Sequence, residues 1–172
     1  MPELRGEVVS LRLTVEADAE RLAEIFSQPA VTKWWGWWDI ERVRDELIDP
    51  ADETVIFAIE AEGEVIGIVQ YGEESDPEYR HANIDIAIDP AWHRRGLGAD
   101  AIRAVARHLF EERGHHRITI DPAASNDRAI RSYERVGFKR VGVMRQYERG
   151  PDGTWHDGLL MEYVAARGKS PR

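Results

Sequence analysis

Residues 84–99, with the sequence IDIAIDPAWHRRGLGA, join an alternating strand to a glycine-rich helix start. Isoleucine occupies every second position from Ile84 to Ile88, which predicts a strand whose other face is unusually polar because it carries Asp85. The following Gly-x-Gly lets the backbone approach an anion, and the free N–H groups at a helix start can bind phosphate. A plain tight turn is the alternative, since the Walker and Rossmann glycine patterns are both absent.

The rest of the chain alternates between strand and helix patterns around this stretch. Helices are predicted over residues 16–28, where Pro29 ends the helix, over 40–48, from Gly98 to Gly114, and over 126–135. Strands are predicted over residues 8–13, 54–61, 64–71, 83–89, 117–121, 138–147 and 155–164, with a polar loop at 72–80. This order predicts an α/β protein of the α+β type, in which helices cover a mixed sheet.

The chain has 172 residues, and its 23 Lys and Arg against 32 Asp and Glu give a formal net charge of −9. This length predicts one domain over residues 1–166, followed by a polar tail at 167–172. An acidic surface repels phosphate backbones, so nucleic-acid binding is not expected, whereas a cationic substrate is attracted. Without a long apolar run or a signal-like start, the expected location is the cytoplasm and no membrane contact is expected.

The absence of cysteine excludes disulfides, a thiolate nucleophile and any Cys-ligated metal. Six histidines are present, but their spacing gives no convincing ligand set, so no metal is predicted. No covalent enzyme intermediate is expected either, because no serine lies beside a histidine in the sequence.

A second group of polar residues follows the predicted strand 117–121. Asp121 ends that strand, Asn126 lies five residues later and Tyr133 seven residues after that. Both Asp121 and Tyr133 could therefore meet at one opening in the sheet. The structural alternatives are a turn at Asp121-Pro122, a helix cap at Asn126 and a core tyrosine at position 133.

Together, His93-Arg94-Arg95-Gly96-Leu97-Gly98 and the later Asn126, Ala129, Tyr133, Gly137 and Phe138 resemble the GNAT superfamily of acyl-CoA-dependent N-acetyltransferases. The resemblance spans residues 11–164 and implies a central, mostly antiparallel sheet with helices on both faces. It implies acetyl-CoA as cofactor. The loop would bind the pyrophosphate, the pantetheine arm would lie along Ile86 to Ile88, and Asn126 would help to hold the cofactor. The family's loop usually begins with Arg or Gln, where this chain has His93. The implied cofactor residues are Ile86, Ala87, Ile88, His93, Arg94, Arg95, Gly96, Leu97, Gly98, Ala99, Asn126, Ala129 and Tyr133.

Within this superfamily, Trp34-Trp35-Gly36, Asp121-Pro122 and the segment from Ser125 to Phe138 look most like the aminoglycoside 6'-N-acetyltransferases. That resemblance implies that Asp85 and Asp121 line the aminoglycoside site and that Tyr133 lies near the thioester sulfur. Trp34 and Trp35 are candidates for stacking on a sugar ring. Clustered tryptophans equally anchor a core helix or a dimer contact, so a monomer and a homodimer are both compatible with the sequence.

Direct transfer to an amine requires a proton acceptor, because an ammonium of pKa ~10.4 is rarely free at neutral pH. Asp121 is the first candidate and Asp85 the second, although both carboxylates could instead only bind the cation. Tyr133 is the candidate acid for the leaving thiolate, and a backbone N–H on the strand from Ile86 to Ile88 is the candidate oxyanion donor. Alternative functions are acetylation of a polyamine or a protein N-terminus, transfer of a longer acyl group, and non-catalytic acyl-CoA binding.

Overall fold

The computed structural model describes residues 3–166, and the polar tail predicted at 167–172 lies outside them. Eight strands form one sheet in the order β1-β2-β3-β4-β5-β6-β8-β7. They are β1 (Leu4–Arg5), β2 (Ser10–Leu13), β3 (Val55–Ala61), β4 (Glu64–Glu74), β5 (His81–Ile88), β6 (Arg117–Ile120), β7 (Lys139–Arg149) and β8 (Trp155–Val164). The helices are α1 (Ala19–Ser27), α2 (Pro29–Trp35), α3 (Ile40–Val43), α4 (Leu97–Glu111) and α5 (Asp127–Val136).

The sheet is mostly antiparallel, as predicted, and β5 and β6 run parallel. The alternation of side chains along each strand divides the apolar residues between two cores. On one face, Phe57, Val69 and Ile84 pack with α4 and α5, while on the other face Ile56 and Ile68 pack with α1 to α3. Helices therefore cover both faces, which confirms the predicted fold class.

The elements differ from the sequence prediction at several points. Pro29 ends α1 but also begins α2, because proline is well accommodated at the first position of a helix, where no N–H donor is needed. β4 continues to Glu74, since Gly72, Glu73 and Glu74 pair with β5, so part of the predicted loop at 72–80 is strand. The two-residue strand β1 is too short to show a periodic pattern.

Buried carboxylates fix the ends of several elements. Asp100, in the first turn of α4, accepts hydrogen bonds from the amides of Glu7, Val8 and Val9 at 2.8–2.9 Å. These bonds hold the pKa of Asp100 below its ordinary value, against the opposing effect of burial. The carboxylate thereby ties the N-terminal loop to the helix that follows the glycine-rich turn. Within residues 3–166, none of the helices is both long enough and apolar enough to span a membrane.

Candidate active site

A cleft opens where β5 and β6 separate. The two strands pair only at Ala82–Ile118 and Asn83–Thr119, and no ladder joins them beyond these two pairs. The cavity that enters this gap has a volume of about 1120 Å³. Because Ile86 packs with the α4 and α5 core whereas Ala87 packs with the α1 to α3 core, the gap connects the two faces of the sheet.

The glycine-rich turn leads from β5 into α4 at one side of the cleft. Asp89 fixes the end of β5 by accepting hydrogen bonds from Arg21 at 2.6 Å and from the amide of Ala91 at 3.0 Å. Arg94 and Gly96 then adopt left-handed conformations, with φ of 64° and 73°, which turn the chain into the helix. A non-glycine residue in this conformation is uncommon and occurs often at functional sites.

This turn fits the phosphate-bearing end of coenzyme A. The first turn of α4 presents backbone N–H groups that have no partner within the helix. A Cβ on Gly98 would lie 3.3 Å from Cδ1 of Ile88, so glycine lets the start of the helix lie close to β5. Ile86 and Ile88 provide an apolar wall beside it, which suits the pantetheine arm, and both line the cleft.

The structure brings nearly all of the residues predicted for the cofactor and substrate sites to this one cleft. Arg95 is the exception, since it does not line the cavity, and its guanidinium instead pairs with Glu62 and stacks on Trp92. The geometry therefore gives no support to a cofactor contact from Arg95. The predicted residues that line the cleft are Trp34, Trp35, Asp85, Ile86, Ala87, Ile88, His93, Arg94, Gly96, Leu97, Gly98, Ala99, Asp121, Asn126, Ala129 and Tyr133.

Asn126 has the capping role that was considered as its structural alternative. Its side-chain oxygen accepts a hydrogen bond from the amide of Ala129 at 3.3 Å, at the start of α5. Asn126 also lines the cleft. The cap and a contact with the cofactor are thus compatible.

A group of carboxylates lies at the other end of the cleft, which we call the acidic cluster: Asp85, Asp121 and Glu148. Asp85 is exposed to the cleft, and the protein atoms that surround the cleft displace part of the water around its carboxylate. This desolvation raises its pKa to about 7, with a further contribution from the negative charges of Asp121 and Glu148, although the amide of Ile86 opposes the rise. Desolvation and the charge of Asp121 also raise the pKa of Glu148.

Tyr147 and Glu148 were missed in the sequence because an irregularity in β7 positions them. The register of β7 against β8 shifts between Met144 and Glu148, and Gln146 has a φ of 49°. The amide of Gln146 donates to Asp157 Oδ1 on β8 at 2.9 Å, which stabilises this bulge. The hydroxyl of Tyr147 then donates to Asp121 Oδ2 at 2.5 Å, and this bond is the main cause that raises the pKa of Tyr147 to about 12.

Tyr133 lies between the acidic cluster and the glycine-rich turn. Its side chain is only 9 % exposed, and it lines the cleft from α5. Burial, reinforced by the charges of Asp85 and Asp121, raises the pKa of Tyr133, so its hydroxyl remains protonated at neutral pH. A protonated phenol in this position is a hydrogen-bond donor to whatever occupies the middle of the cleft.

The tryptophan cluster divides between core and cleft. Trp35 and Trp38 pack against Phe26, with ring centroids 5.3 and 5.0 Å away, so Trp35 anchors α2 to α1 and Trp38 anchors the segment that follows α2. Trp34 and Trp35 also line the cleft, whereas Trp37 is 69 % exposed. Trp35 and Trp38 therefore take part in the core and also line the cleft, and stacking of Trp34 or Trp35 on a sugar ring stays a prediction. Within the described part of the chain, no group of three or more His, Asp or Glu residues is arranged to hold a metal ion.

Comparison with known proteins places this cleft in context. The profile of the acetyltransferase (GNAT) domain matches residues 9–139. The aminoglycoside N(6')-acetyltransferase type 1 of Klebsiella pneumoniae is 31% identical over 169 residues, covering 86% of this chain and 80% of that protein. The N-alpha-acetyltransferase RimI of Mycobacterium tuberculosis is 30% identical over 146 residues, covering 83% of this chain and 86% of that protein.

The chain is also similar in fold to a solved acetyltransferase structure. The structure of AAC(6')-Ib with paromomycin and acetyl-CoA is 28% identical and superimposes with a TM-score of 0.76, covering 95% of this chain and 96% of that one.

Proposed function

The chain belongs to the GNAT acetyltransferase family and uses acetyl-CoA, and from this premise we propose that it acetylates a primary amine of a small polycation, foremost the 6'-amine of an aminoglycoside. The observation that carries this proposal is the acidic cluster, because its three carboxylates open onto the same cleft as the glycine-rich turn. Within residues 3–166, none of these three carboxylates forms an ion pair, which favours a ligand with several ammonium groups. The similarity to aminoglycoside N(6')-acetyltransferase supports the same substrate class.

The geometry favours Asp85 over Asp121 as the proton acceptor, which reverses the order proposed from the sequence alone. An ammonium of pKa ~10.4 is free in about one part in 10³ at pH 7, so proton removal limits the attack. Asp85 is exposed to the cleft, where an amine can reach it, and its pKa of about 7 suits a general base near neutral pH. One oxygen of Asp121 is already bonded to the hydroxyl of Tyr147, so Asp121 is better suited to hold and orient the cation.

The backbone of β5 supplies hydrogen-bond donors at the gap. The amide of Asp89 donates to Ile66 on β4, and because successive N–H groups of a strand point to opposite sides, those of Ile86 and Ile88 face away from β4. The amide of Ile86 donates to Asp85 Oδ1 at 2.9 Å. That of Ile88 is therefore the better candidate to stabilise the oxyanion.

Protonation of the leaving group is assigned to Tyr133. Bound acetyl-CoA supplies the thioester that the amine attacks. The Tyr133 hydroxyl is protonated and enclosed, so it is placed to donate a proton to a departing thiolate. With Asp85 accepting one proton and Tyr133 donating another, the chain's own residues account for both proton transfers.

The first test is release of free thiol from acetyl-CoA by the purified protein with kanamycin-type aminoglycosides, spermidine and short peptides. Mass spectrometry of the products identifies the acetylated amine. We expect a 6'-acetylated aminoglycoside to form with the highest kcat/KM. Turnover of spermidine or a peptide alone would overturn the aminoglycoside assignment, and cofactor binding without any transfer would favour a non-catalytic acyl-CoA-binding module.

A matched variant tests the role of Asp121. Asp121→Asn is expected to raise KM for the amine by about 10-fold or more, because a charged hydrogen bond to the cation is lost, while the affinity for acetyl-CoA stays constant. Asp45→Asn is the control, since Asp45 is exposed and does not line the cleft. Weaker acetyl-CoA binding with normal amine turnover would contradict the assignment.

A protein N-terminus is the second candidate acceptor, and the similarity to RimI favours it. An α-amino group has a pKa near ~8, so it depends less on a base than an aminoglycoside amine does. The peptide arm of the same assay separates the two candidates.

A further inference from the structure

Two neighbouring arginines of the cleft, Arg94 and Arg128, have no acidic partner within residues 3–166. Arg94 on the glycine-rich turn and Arg128 on α5 line the same cavity, and neither forms an ion pair with a carboxylate within residues 3–166. Burial and the positive charge of Arg94 both lower the pKa of Arg128, so the two guanidinium groups repel each other weakly. An anion placed between them would remove that repulsion.

His93 fixes the side chain of Arg128. The Nδ1 atom of His93 lies 2.6 Å from a terminal nitrogen of Arg128, and its Nε2 atom lies 3.0 Å from the carbonyl oxygen of Ile88. A guanidinium only donates and a carbonyl only accepts, so Nε2 must carry the proton and Nδ1 must accept. His93 is therefore neutral and bridges the end of β5 to α5. Its lowered pKa, due first to burial and then to Arg128, agrees with this state.

We propose that Arg128 binds a phosphate group of coenzyme A and that neutral His93 positions it by accepting its hydrogen bond. Arg128 thus extends the site beyond the glycine-rich turn to a second helix. His93 contributes no charge to the cofactor and acts through Arg128. Where the family usually has arginine or glutamine, this chain has His93, which holds the guanidinium of Arg128 by a hydrogen bond.

Titration calorimetry with coenzyme A, dephospho-coenzyme A and pantetheine tests this directly and requires no acceptor amine. Arg128→Ala is expected to weaken the binding of coenzyme A by about 10-fold or more and to leave that of pantetheine unchanged. A loss that persists with dephospho-coenzyme A assigns Arg128 to the pyrophosphate, and a loss that disappears assigns it to the 3'-phosphate. Arg131→Ala is the control, because it removes the same charge from an exposed position of α5 outside the cleft.

His93 is tested with two substitutions. His93→Gln keeps a donor toward Ile88 but loses the acceptor at Nδ1, so it is expected to weaken binding of coenzyme A several-fold. His93→Asn keeps an acceptor close to the position of Nδ1 and is expected to restore most of the affinity. In an Arg128→Ala background, His93→Gln should then have no further effect on the affinity.

Three results would overturn the proposal: unchanged affinity of Arg128→Ala for coenzyme A, an equal loss for pantetheine, or additive effects of the two substitutions. The acceptor assignment under the proposed function is independent of all of these measurements. Unchanged coenzyme A affinity in the Arg128 variant would therefore not contradict the proposed function. Equally, a lack of thiol release in the acetylation assay would not contradict the role of Arg128 in cofactor binding.

Discussion

The two ends of the cleft differ in charge and in origin. The glycine-rich turn, with Arg94 and the start of α4, comes from one continuous stretch of chain and carries positive charge. The acidic cluster is negative and comes from three parts of the chain: Asp85 lies within β5, Asp121 directly after β6 and Glu148 near the end of β7. Tyr133 lies between the two ends. One cavity thus has two opposite electrostatic environments. The positive end at the glycine-rich turn favours an anionic cofactor, and the negative end at the acidic cluster favours a cationic acceptor.

The largest expected effect comes from Asp85, because its substitution would remove the proposed general base from the acidic end of the cleft. Asp85→Asn is expected to lower kcat/KM by about 10²-fold or more, since general base catalysis contributes that much. In the parent enzyme, the rate should rise with pH through about 7, because Asp85 accepts a proton only in its ionised form. The pH profile of thiol release measures both effects.

The variant should lose that rising limb of the profile while keeping its affinity for acetyl-CoA. A parent-like profile in Asp85→Asn would show that the acidic end only binds the acceptor. The two ends of the cleft would then differ only in the charge of the group that each one binds.

Tyr133, between the two ends, should give a smaller effect. Tyr133→Phe is expected to lower kcat by roughly 10-fold and to leave the affinity for acetyl-CoA nearly unchanged. A thiol of pKa ~8.5 is a tolerable leaving group without help, so the reaction should slow rather than stop. Steady-state kinetics with a saturating amine measure the change. Tyr79→Phe, at an exposed position outside the cleft, serves as its control, and an unchanged kcat would remove Tyr133 from the acid role.

The smallest effect is expected from the hydroxyl of Tyr147, which holds one oxygen of Asp121. Tyr147→Phe should raise KM for the amine only a few-fold, because Asp121 keeps its charge and loses one orienting hydrogen bond. Kinetics at varied amine concentration detect this change. A loss as large as that of Asp85→Asn would mean that Tyr147 itself takes part in proton transfer.

The cofactor end was largely predictable from sequence because its residues are neighbours in the chain. Residues 84–99 contain the strand, the turn and the glycines, and the structure places this stretch along the cleft. The resemblance to the GNAT loop implies Arg95 among the cofactor residues. Its side chain instead leaves the cleft for Glu62, since neighbouring side chains on a turn diverge.

The acidic end was only partly predictable. The sequence predicts Asp85 on the polar face of a strand and Asp121 at a strand end, but Glu148 and Tyr147 depend on a bulge in β7 that a strand pattern does not reveal. The preference for Asp85 as the base likewise arises from its raised pKa, which depends on protein atoms around the cleft that are distant in sequence, including Asp121 and Glu148. Arg128 was visible only as one cation on a polar helix, and its contact with His93 is a tertiary one.

The two pairs that join β5 to β6 have a consequence for how such an enzyme can change its substrate. Backbone pairing across this junction stops at Asn83 and Thr119, so it contributes little resistance to a change in the angle between the two half-sheets. We therefore expect the side chains packed behind the junction, including the buried Ile118 and Ile120, to influence the width of the cleft. Substitutions in that core can admit larger or smaller amines during evolution while every residue that touches the acceptor stays the same.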